Sequence, residues 1–340
     1  MGEKVGVIGI GVWGTSLGEA LVRSGNEVLA WSPEGDVVSS VNKTHSNPRY
    51  LPGMKLSDNF KATKKIADLV KHCKTLFITV PANAHTEITS LISHLITSEH
   101  TIVVASKGFR ESDGALLTDV WQELTPSLKN LAAISGPCLA IELAQEKSTC
   151  LVISSTKGKV MKQVGGLFNL PYLRIYYNDD IIGAQIGAAM KGVVAIAVGI
   201  ADQLELGANA RAAIVSRSLA EVMRYAIALG AKPDTIAGLS GLGDIFLLST
   251  SPLSRNYRLG KKLAHGIPLQ QALNDENHKA EGVQTARIVT AQATSRGVDL
   301  AIITVIDAIL SGDIKADKAF KFLFNQPPKW EFEPSKKYTV

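Results

Sequence analysis

The chain has 340 residues, 46% of them hydrophobic, which is too apolar for a disordered chain and long enough for two domains. Its 36 basic and 31 acidic residues leave a net charge of +5, with no long Lys/Arg block and no basic residues interleaved with aromatics. That argues against nucleic acid and suits a small anionic ligand. Cys73, Cys138 and Cys150 show no CxxC spacing, and the seven histidines form no HExxH, so neither a disulfide framework nor a metal site is indicated.

Residues 4–10 read as a buried strand that runs into Gly9-Ile10-Gly11-Val12-Trp13-Gly14, followed by a helical pattern over 15–23 and a stop at Gly25. This is strand, glycine turn, helix. Gly9 permits the tight turn, Gly11 lets backbone approach a pyrophosphate, Gly14 lets helix pack on strand, and the amides at the helix start bind the anion. An ordinary glycine-rich turn is the weaker reading, because both flanks required of a dinucleotide site are present. The apolar run begins at Val5 and leaves no room for a charged leader, so a cytoplasmic protein is expected.

The next strand, 27–31, should end over the adenosine ribose, where an acid reads the 2′-hydroxyl of NAD. Here Trp31 is followed by Ser32, Pro33 and Glu34, with the carboxylate beyond the proline. The lean is slightly to NADPH, with NAD not excluded. Further strands are expected at 75–80, 101–106, 131–135, 150–154 and 173–177, with helices such as 84–96 and 116–124 between them. Such alternation predicts an α/β domain over 1–180, built on a parallel, doubly wound Rossmann-type sheet. Ligands bind at the carboxyl ends of such strands, which brings forward Pro81, Lys107-Gly108 and Ser135-Gly136-Pro137. Lys107 is the one charge among them, and a solvated loop lysine is as good a reading of it as a ligand.

After Asp180 the strand pattern ends, and 181–324 is expected to be an all-α domain. It opens with IIGAQIGAAMKGVVAIAVGI, where Lys191 is the lone charge; its neighbours at three and four positions are Gly187, Ala188, Val194 and Ala195, none able to pair with an ammonium. Four glycines in a packed helix cost about 1 kcal/mol each, which suggests that backbone or ligand comes close. The segment has the length of a membrane span but carries Gln185 and Lys191, and no other stretch repeats it, so integral membrane insertion is not expected. Lys191 is then either a core lysine snorkelling outward or an acid–base group whose pKa burial has lowered.

Further along, Gly241-Leu242-Gly243-Asp244 places a carboxylate after glycines, and Ser254-Arg255-Asn256 sets hydroxyl, guanidinium and amide side by side. Asp244 and Ser254 also suit helix N-caps, and Arg255-Asn256 suits a phosphate clamp. Residues 325–340 read as a surface tail, in which Trp330 and Phe332 leave room for a homodimer contact, ordinary packing being the simpler reading.

In combination these residues resemble the bacterial NAD(P)-dependent glycerol-3-phosphate dehydrogenases over nearly the whole chain. The segments that carry it are VIGIGVWGTSL at Val7, SKGF at Ser106, ISGPCLAIELA at Ile134, GANAR at Gly207, GLSGLGDIFL at Gly238, SRNYRLG at Ser254 and AEGVQTA at Ala280. The resemblance implies reduction of dihydroxyacetone phosphate to sn-glycerol 3-phosphate with NAD(P)H, the source of the phospholipid backbone, in a cleft between a Rossmann and a helical domain. By the same resemblance Lys191 is the catalytic lysine, with Lys107 and Asp244 its polar companions. Gly136, Cys138, Ser254, Arg255 and Asn256 fall at substrate positions. Val12, Trp13, Pro33, Ala140 and Glu281 fall at cofactor positions beside Gly9, Gly11, Gly14 and Ser32, and Lys107 and Arg255 are shared between substrate and cofactor.

The chain departs from the family pattern at three points. Gly192 stands where the pattern has Asn, Cys138 where it has Thr or Ser, and Leu248 where it has Thr, each removing or weakening a polar contact. Two rivals remain open on sequence: a dehydrogenase of similar layout acting on a 3-hydroxy acid or acyl substrate, and a nucleotide-sensing protein that keeps the fold without turnover.

Overall fold

The structure is a computed structural model that describes residues 2–275, 280–328 and 330–331. The first 178 residues alternate strand and helix: β1 Lys4–Ile8, α1 Val12–Arg23, β2 Glu27–Trp31, α2 Gly35–Thr44, the small hairpin β3 Ser46–Asn47 and β4 Leu51–Lys55, then β5 Phe60–Thr63 and α3 Ile66–His72. The alternation continues through β6 Thr75–Ile78, α4 His85–Ile92, β7 Thr101–Val104, α5 Leu117–Leu124, β8 Asn130–Ser135, α6 Ala140–Ala144, β9 Thr149–Ser154, α7 Gly158–Gly166 and β10 Leu173–Asn178.

Eight of these strands form one sheet in the order β10-β9-β8-β7-β6-β1-β2-β5, which reverses direction beside β1 as a doubly wound sheet does. The central strands are apolar on both faces; Thr75–Ile78 and Thr101–Val104 are buried throughout because helices cover the sheet front and back.

Pairing is parallel at every step but one. β8 and β9 run antiparallel, with Ile134 opposite Ile153, so the two last strands are reversed relative to the rest. The all-parallel expectation is corrected here, and the connection explains why. The segment between β8 and β9 holds only the five-residue α6, which packs on α1 instead of carrying the chain back across a sheet face, so β9 must start near where β8 ends.

The remainder is helical, with no strand among the described residues: α8 Ile181–Gln203, α9 Gly207–Ala228, α10 Pro233–Ala237, α11 Asp244–Thr250, α12 Arg255–Ala264, α13 Leu269–Asp275, α14 Glu281–Arg296, α15 Ala301–Ser311 and α16 Ala316–Phe324. α8 is the axis of this half. It is long and apolar enough to cross a bilayer, yet every residue from Gly183 to Ala201 is buried against protein. Asp180 caps it, its Oδ1 accepting from Gly183 N and its Oδ2 from Lys232 N, both at 2.8 Å, which ties the start of α8 to that of α10.

The glycines of α8 mark helix crossings. A Cβ on Gly187 would meet the Ser240 carbonyl, one on Gly199 the Tyr257 carbonyl, and one on Gly192 the side chain of Asn256 and the backbone of Gly282. The close backbone approach expected of a glycine-rich packed helix is therefore real, and it brings in the turn before α11 and the starts of α12 and α14. In the tail Trp330 is 66% exposed, and Phe332 lies outside the described residues.

Candidate active site

The glycine turn is shaped by what surrounds it. Gly9 has φ +100°, a conformation side chains avoid, and a Cβ there would meet Val80; a Cβ on Gly14 would strike the Gly9 carbonyl. Gly11 is different: a Cβ there meets nothing within 4 Å, so the approach to its backbone is open. α1 begins at the next residue with no side-chain cap, leaving its first-turn amides available. An open backbone face beside uncapped amides at the end of a central strand fits the pyrophosphate of a dinucleotide.

The turn is braced by residues that local pattern did not reveal. Asn47, wholly buried on the β3–β4 hairpin, donates from Nδ2 to Ile10 O at 2.9 Å and to Thr15 Oγ1 at 2.8 Å. Thr79 donates to the carbonyls of Ile8 and Gly9. Val12 is exposed at the head of α1, while the Trp13 indole donates to Ala105 O at 2.9 Å and so ties α1 to the strand end that leads to Lys107.

Beyond β2, Ser32 is buried and its Oγ accepts from Glu34 N at 3.2 Å across Pro33. Glu34 is already engaged, its Oε1 accepting from Tyr50 OH at 2.9 Å and pairing with Arg49 at 3.2 Å. Lys64 lies on the other side, its Nζ 3.5 Å from where a Cβ of Gly35 would stand.

The charged centre is assembled from three distant parts of the chain. Lys107 sits in the loop after β7, where Ser106 Oγ donates to Ile78 O and Val80 O at 3.1 and 2.6 Å and holds the loop to the neighbouring strand end. Lys191 lies midway along α8. Asp244 opens α11 directly after a π-turn over Leu239–Gly243, which is pressed on α8 at Gly187 and joined to β8 by a Ser135–Ser240 hydroxyl contact of 2.8 Å.

Asp244 has no exposed surface. Its Oδ1 accepts from Lys191 Nζ at 2.6 Å and its Oδ2 from Lys107 Nζ at 2.7 Å. Lys191 therefore does not snorkel to bulk water: its charge ends on a buried carboxylate, and the residue is 9% exposed. Nor is Asp244 merely a helix cap, since both its oxygens are claimed by ammonium groups.

One carboxylate facing two cations polarises their protonation. Burial pulls the Lys191 pKa down to about 8; Asp244 pulls upward and Lys107 adds to the depression. Burial opposes the charge on Lys107 too, but there the attraction and hydrogen bond of Asp244 prevail and raise its pKa. Near neutral pH the pair thus holds one firmly charged ammonium and one poised to exchange its proton.

Cys138 borders this centre. Burial pushes its thiol up to about 12, with Lys107 pulling it down, so it is a neutral group. Gly136, two residues before it, needs its φ of +101°, and Pro137 packs near Gly243. Ala140 is the first residue of α6.

The third element is the start of α12. Ser254 caps it, its Oγ accepting from Tyr257 N at 3.3 Å. Arg255 is exposed with no ion pair among the described residues, so its guanidinium is free beside the helix N-terminus. Asn256 is 9% exposed and sits against Gly192, the residue that follows Lys191. Glu281 is exposed at the first position of α14. The structure thus joins Lys107, Lys191 and Asp244 directly and sets Asn256 beside Lys191's helix. Glu34 belongs instead to the separate end of β2.

Comparison with known proteins covers both halves of the chain. A family profile described as NAD-dependent glycerol-3-phosphate dehydrogenase N-terminus matches residues 4–161, and the profile for the C-terminus of the same enzymes matches 180–321. Proteins named glycerol-3-phosphate dehydrogenase, NAD(P)+, from Stenotrophomonas maltophilia and Xanthomonas campestris are 37% and 36% identical to it over 97% of each chain. The solved structure of glycerol-3-phosphate dehydrogenase from Coxiella burnetii superposes with a TM-score of 0.91 at 31% identity, covering 96% of this chain and 99% of that one.

Lys191 should lose its proton with a midpoint near pH 8, well below the 10.5 of an ordinary lysine. Competitive acylation followed across pH by mass spectrometry reads this directly; a midpoint near the ordinary value would show that burial does not act on Lys191 as described.

Proposed function

The chain belongs to the NAD-dependent glycerol-3-phosphate dehydrogenase family, oxidoreductases that interconvert dihydroxyacetone phosphate and sn-glycerol 3-phosphate with NAD(P)H, and we propose that Lys191, Asp244 and Lys107 run this reaction. The observation that carries the assignment is the buried Asp244 held between the two ammonium groups at 2.6 and 2.7 Å.

The nicotinamide, when bound, supplies the hydride to C2 of the ketone or takes it from C2 of the alcohol. This chain's residues handle the accompanying proton and the substrate's charge. In reduction the Lys191 ammonium donates a hydrogen bond to the C2 oxygen and then its proton, so that hydride and proton together make the alcohol. In oxidation the neutral Lys191 amine removes the hydroxyl proton. Asp244 fixes the direction of Lys191 and keeps it charged often enough to act as an acid. Lys107, itself firmly charged, favours the neutral form of Lys191 and presents a second donor to the substrate oxygens.

Arg255 and the first-turn amides of α12 that the Ser254 cap leaves open, those of Arg255 and Asn256, bind the phosphate. Binding energy from that remote group holds C2 in place and lowers the entropic barrier to transfer. On this reading residues 1–180 carry the cofactor, 181–324 carry the substrate groups and 325–340 form a surface tail. Gly9, Gly11, Val12, Trp13 and Gly14 take the pyrophosphate, Ser32 and Pro33 the ribose, and Ala140 and Glu281 line the same cofactor. Gly136, Cys138, Ser254 and Asn256 complete the substrate pocket. Free cysteines suit the reducing cytoplasm as its site of action, where the product would feed phospholipid synthesis.

Lys191→Ala should lower kcat by roughly 10²–10⁴ with little change in cofactor affinity, the usual worth of a positioned acid or base. Arg255→Ala should chiefly raise KM for dihydroxyacetone phosphate. NADPH oxidation assays on both variants check this, and near-normal values for either would remove that residue from its role.

For the cofactor the lean is to NADPH, supported by Lys64 and Arg49 flanking the end of β2 and by Glu34 being engaged with Tyr50 and Arg49. Calorimetry should show 2′,5′-ADP binding several-fold more tightly than 5′-AMP, with Lys64→Gln narrowing the gap. Equal affinities in the unaltered protein would remove the preference.

A further inference from the structure

The loop that carries Lys107 reaches into the helical half of the molecule. After Lys107 and Gly108 the chain folds into a short hairpin, in which Phe109 and Leu116 form an antiparallel bridge. Within it Arg110 N donates to Ala115 O and Gly114 N to Arg110 O, both at 2.9 Å. The Arg110 guanidinium closes the tip on the Asp113 carboxylate at 2.8 and 2.6 Å and reaches Glu123 at 2.8 Å. Phe109 and Leu116 come from the sheet half, yet both are buried in the apolar core of α8, α9, α14 and α15. Gln185 of α8 secures the outgoing end, its Oε1 accepting from Thr118 N at 3.1 Å and its Nε2 donating to Thr118 Oγ1 at 2.8 Å.

The tip is held from α14. Gln292 Nε2 donates to Asp113 O at 3.0 Å and to Gly114 O at 3.2 Å, while its Oε1 accepts from the Tyr225 hydroxyl of α9. Tyr225 is fully buried, which pushes its phenol up to about 12 and keeps it a neutral donor. With a hydroxyl donating to the oxygen and two carbonyls accepting from the nitrogen, one orientation of the carboxamide satisfies every partner. Gly114 has φ +72°, and a Cβ there would strike the Gln292 carboxamide and Ile288, so the tip is pressed onto α14.

We propose that Gln292 is a positioning residue for Lys107: oriented by Tyr225, it clamps the hairpin tip to α14 and so keeps the Lys107 ammonium on Asp244 beside Lys191. Tip and root are coupled because the Phe109–Leu116 bridge closes the hairpin two residues after Lys107. A lysine ammonium on its flexible stem is placed only when the backbone beneath it is placed. Lys107 is thereby carried with the helical half, although its strand belongs to the sheet. The inference rests on the reading of Lys107 as a partner of Lys191 and extends it to two side chains outside the charged centre.

The test uses the full chain with Gln292→Leu, which loses the clamp at similar volume, Tyr225→Phe, which removes only the orienting hydroxyl, and Lys107→Ala with and without Gln292→Leu. Competitive acylation across pH reads the Lys191 midpoint, beside KM for dihydroxyacetone phosphate, the cofactor dissociation constant and the thermal midpoint. Of the titratable groups around Lys191, Asp244 raises its pKa, Lys107 lowers it and the Cys138 thiol is neutral. A Lys107 that strays therefore lets the Lys191 midpoint rise. In Gln292→Leu the midpoint should move above about 8 and KM should increase several-fold, with cofactor affinity unmoved. Tyr225→Phe should shift both in the same direction by less, and serves if Gln292→Leu does not fold. In the Lys107→Ala background Gln292→Leu should add nothing to either. A lowered thermal midpoint with the Lys191 midpoint and KM unchanged, or an effect that persists undiminished without Lys107, would overturn the proposal. Acylation needs no turnover, so inactivity of the unaltered protein towards the triose phosphate would sink the functional reading and leave this readout standing.

Discussion

A carboxylate sealed from water and shared by two ammonium groups is the constraint on which this molecule depends. Moving an ion out of water costs several kcal/mol after relaxation, so a fully buried aspartate is tolerable only with strong partners in place. Asp244 has two, Lys191 from the core helix and Lys107 from a strand end of the sheet. The contact therefore joins the helical half of the chain to the sheet half and also divides the protonation states of the lysines. Structural and chemical roles fall on the same three side chains.

The rest of the architecture serves to bring those three together. α8 carries glycines where other helices cross it, so that the π-turn ahead of Asp244 and the starts of α12 and α14 lie within backbone contact of the segment around Lys191. On the sheet side, Gly9 against Val80, Trp13 against Ala105 and Ser106 against Ile78 and Val80 bind the glycine turn, two strand ends and the Lys107 loop into one rigid edge. β8 runs parallel to β7, so the Gly136–Cys138 turn that follows it lies at the same end of the sheet as the Lys107 loop.

Features set by local pattern could be read from the sequence. The glycine turn was legible because strand and helix flank it, and Lys191 because no neighbour on its own helix could answer its charge. What could not be read was contact across long separations. Asp244 resembles a helix cap until Lys107 and Lys191 are seen on its two oxygens, 137 and 53 residues away. Asn47 and Thr79 brace the glycine turn from elements with no motif, and β5, only four residues long, offers too short an alternation to stand out. The β8–β9 reversal depends on where a five-residue helix packs, which periodicity does not encode. Gly192 is a loss of polarity in the sequence, and only the three-helix crossing shows how closely Asn256 and Gly282 approach it.

The central claim is that burial lowers the Lys191 pKa and that Asp244 holds it from falling further. It is tested most directly by the pH dependence of kcat/KM for glycerol 3-phosphate oxidation in the unaltered protein and in Asp244→Asn. If the neutral amine is the base, kcat/KM rises with pH to a plateau with a midpoint near the Lys191 pKa of about 8. Removing the carboxylate removes an influence that raises that pKa, so the midpoint moves to lower pH while the plateau falls as Lys191 loses its orientation. A profile that is flat across this range, or one whose midpoint is the same in both proteins, would contradict the account.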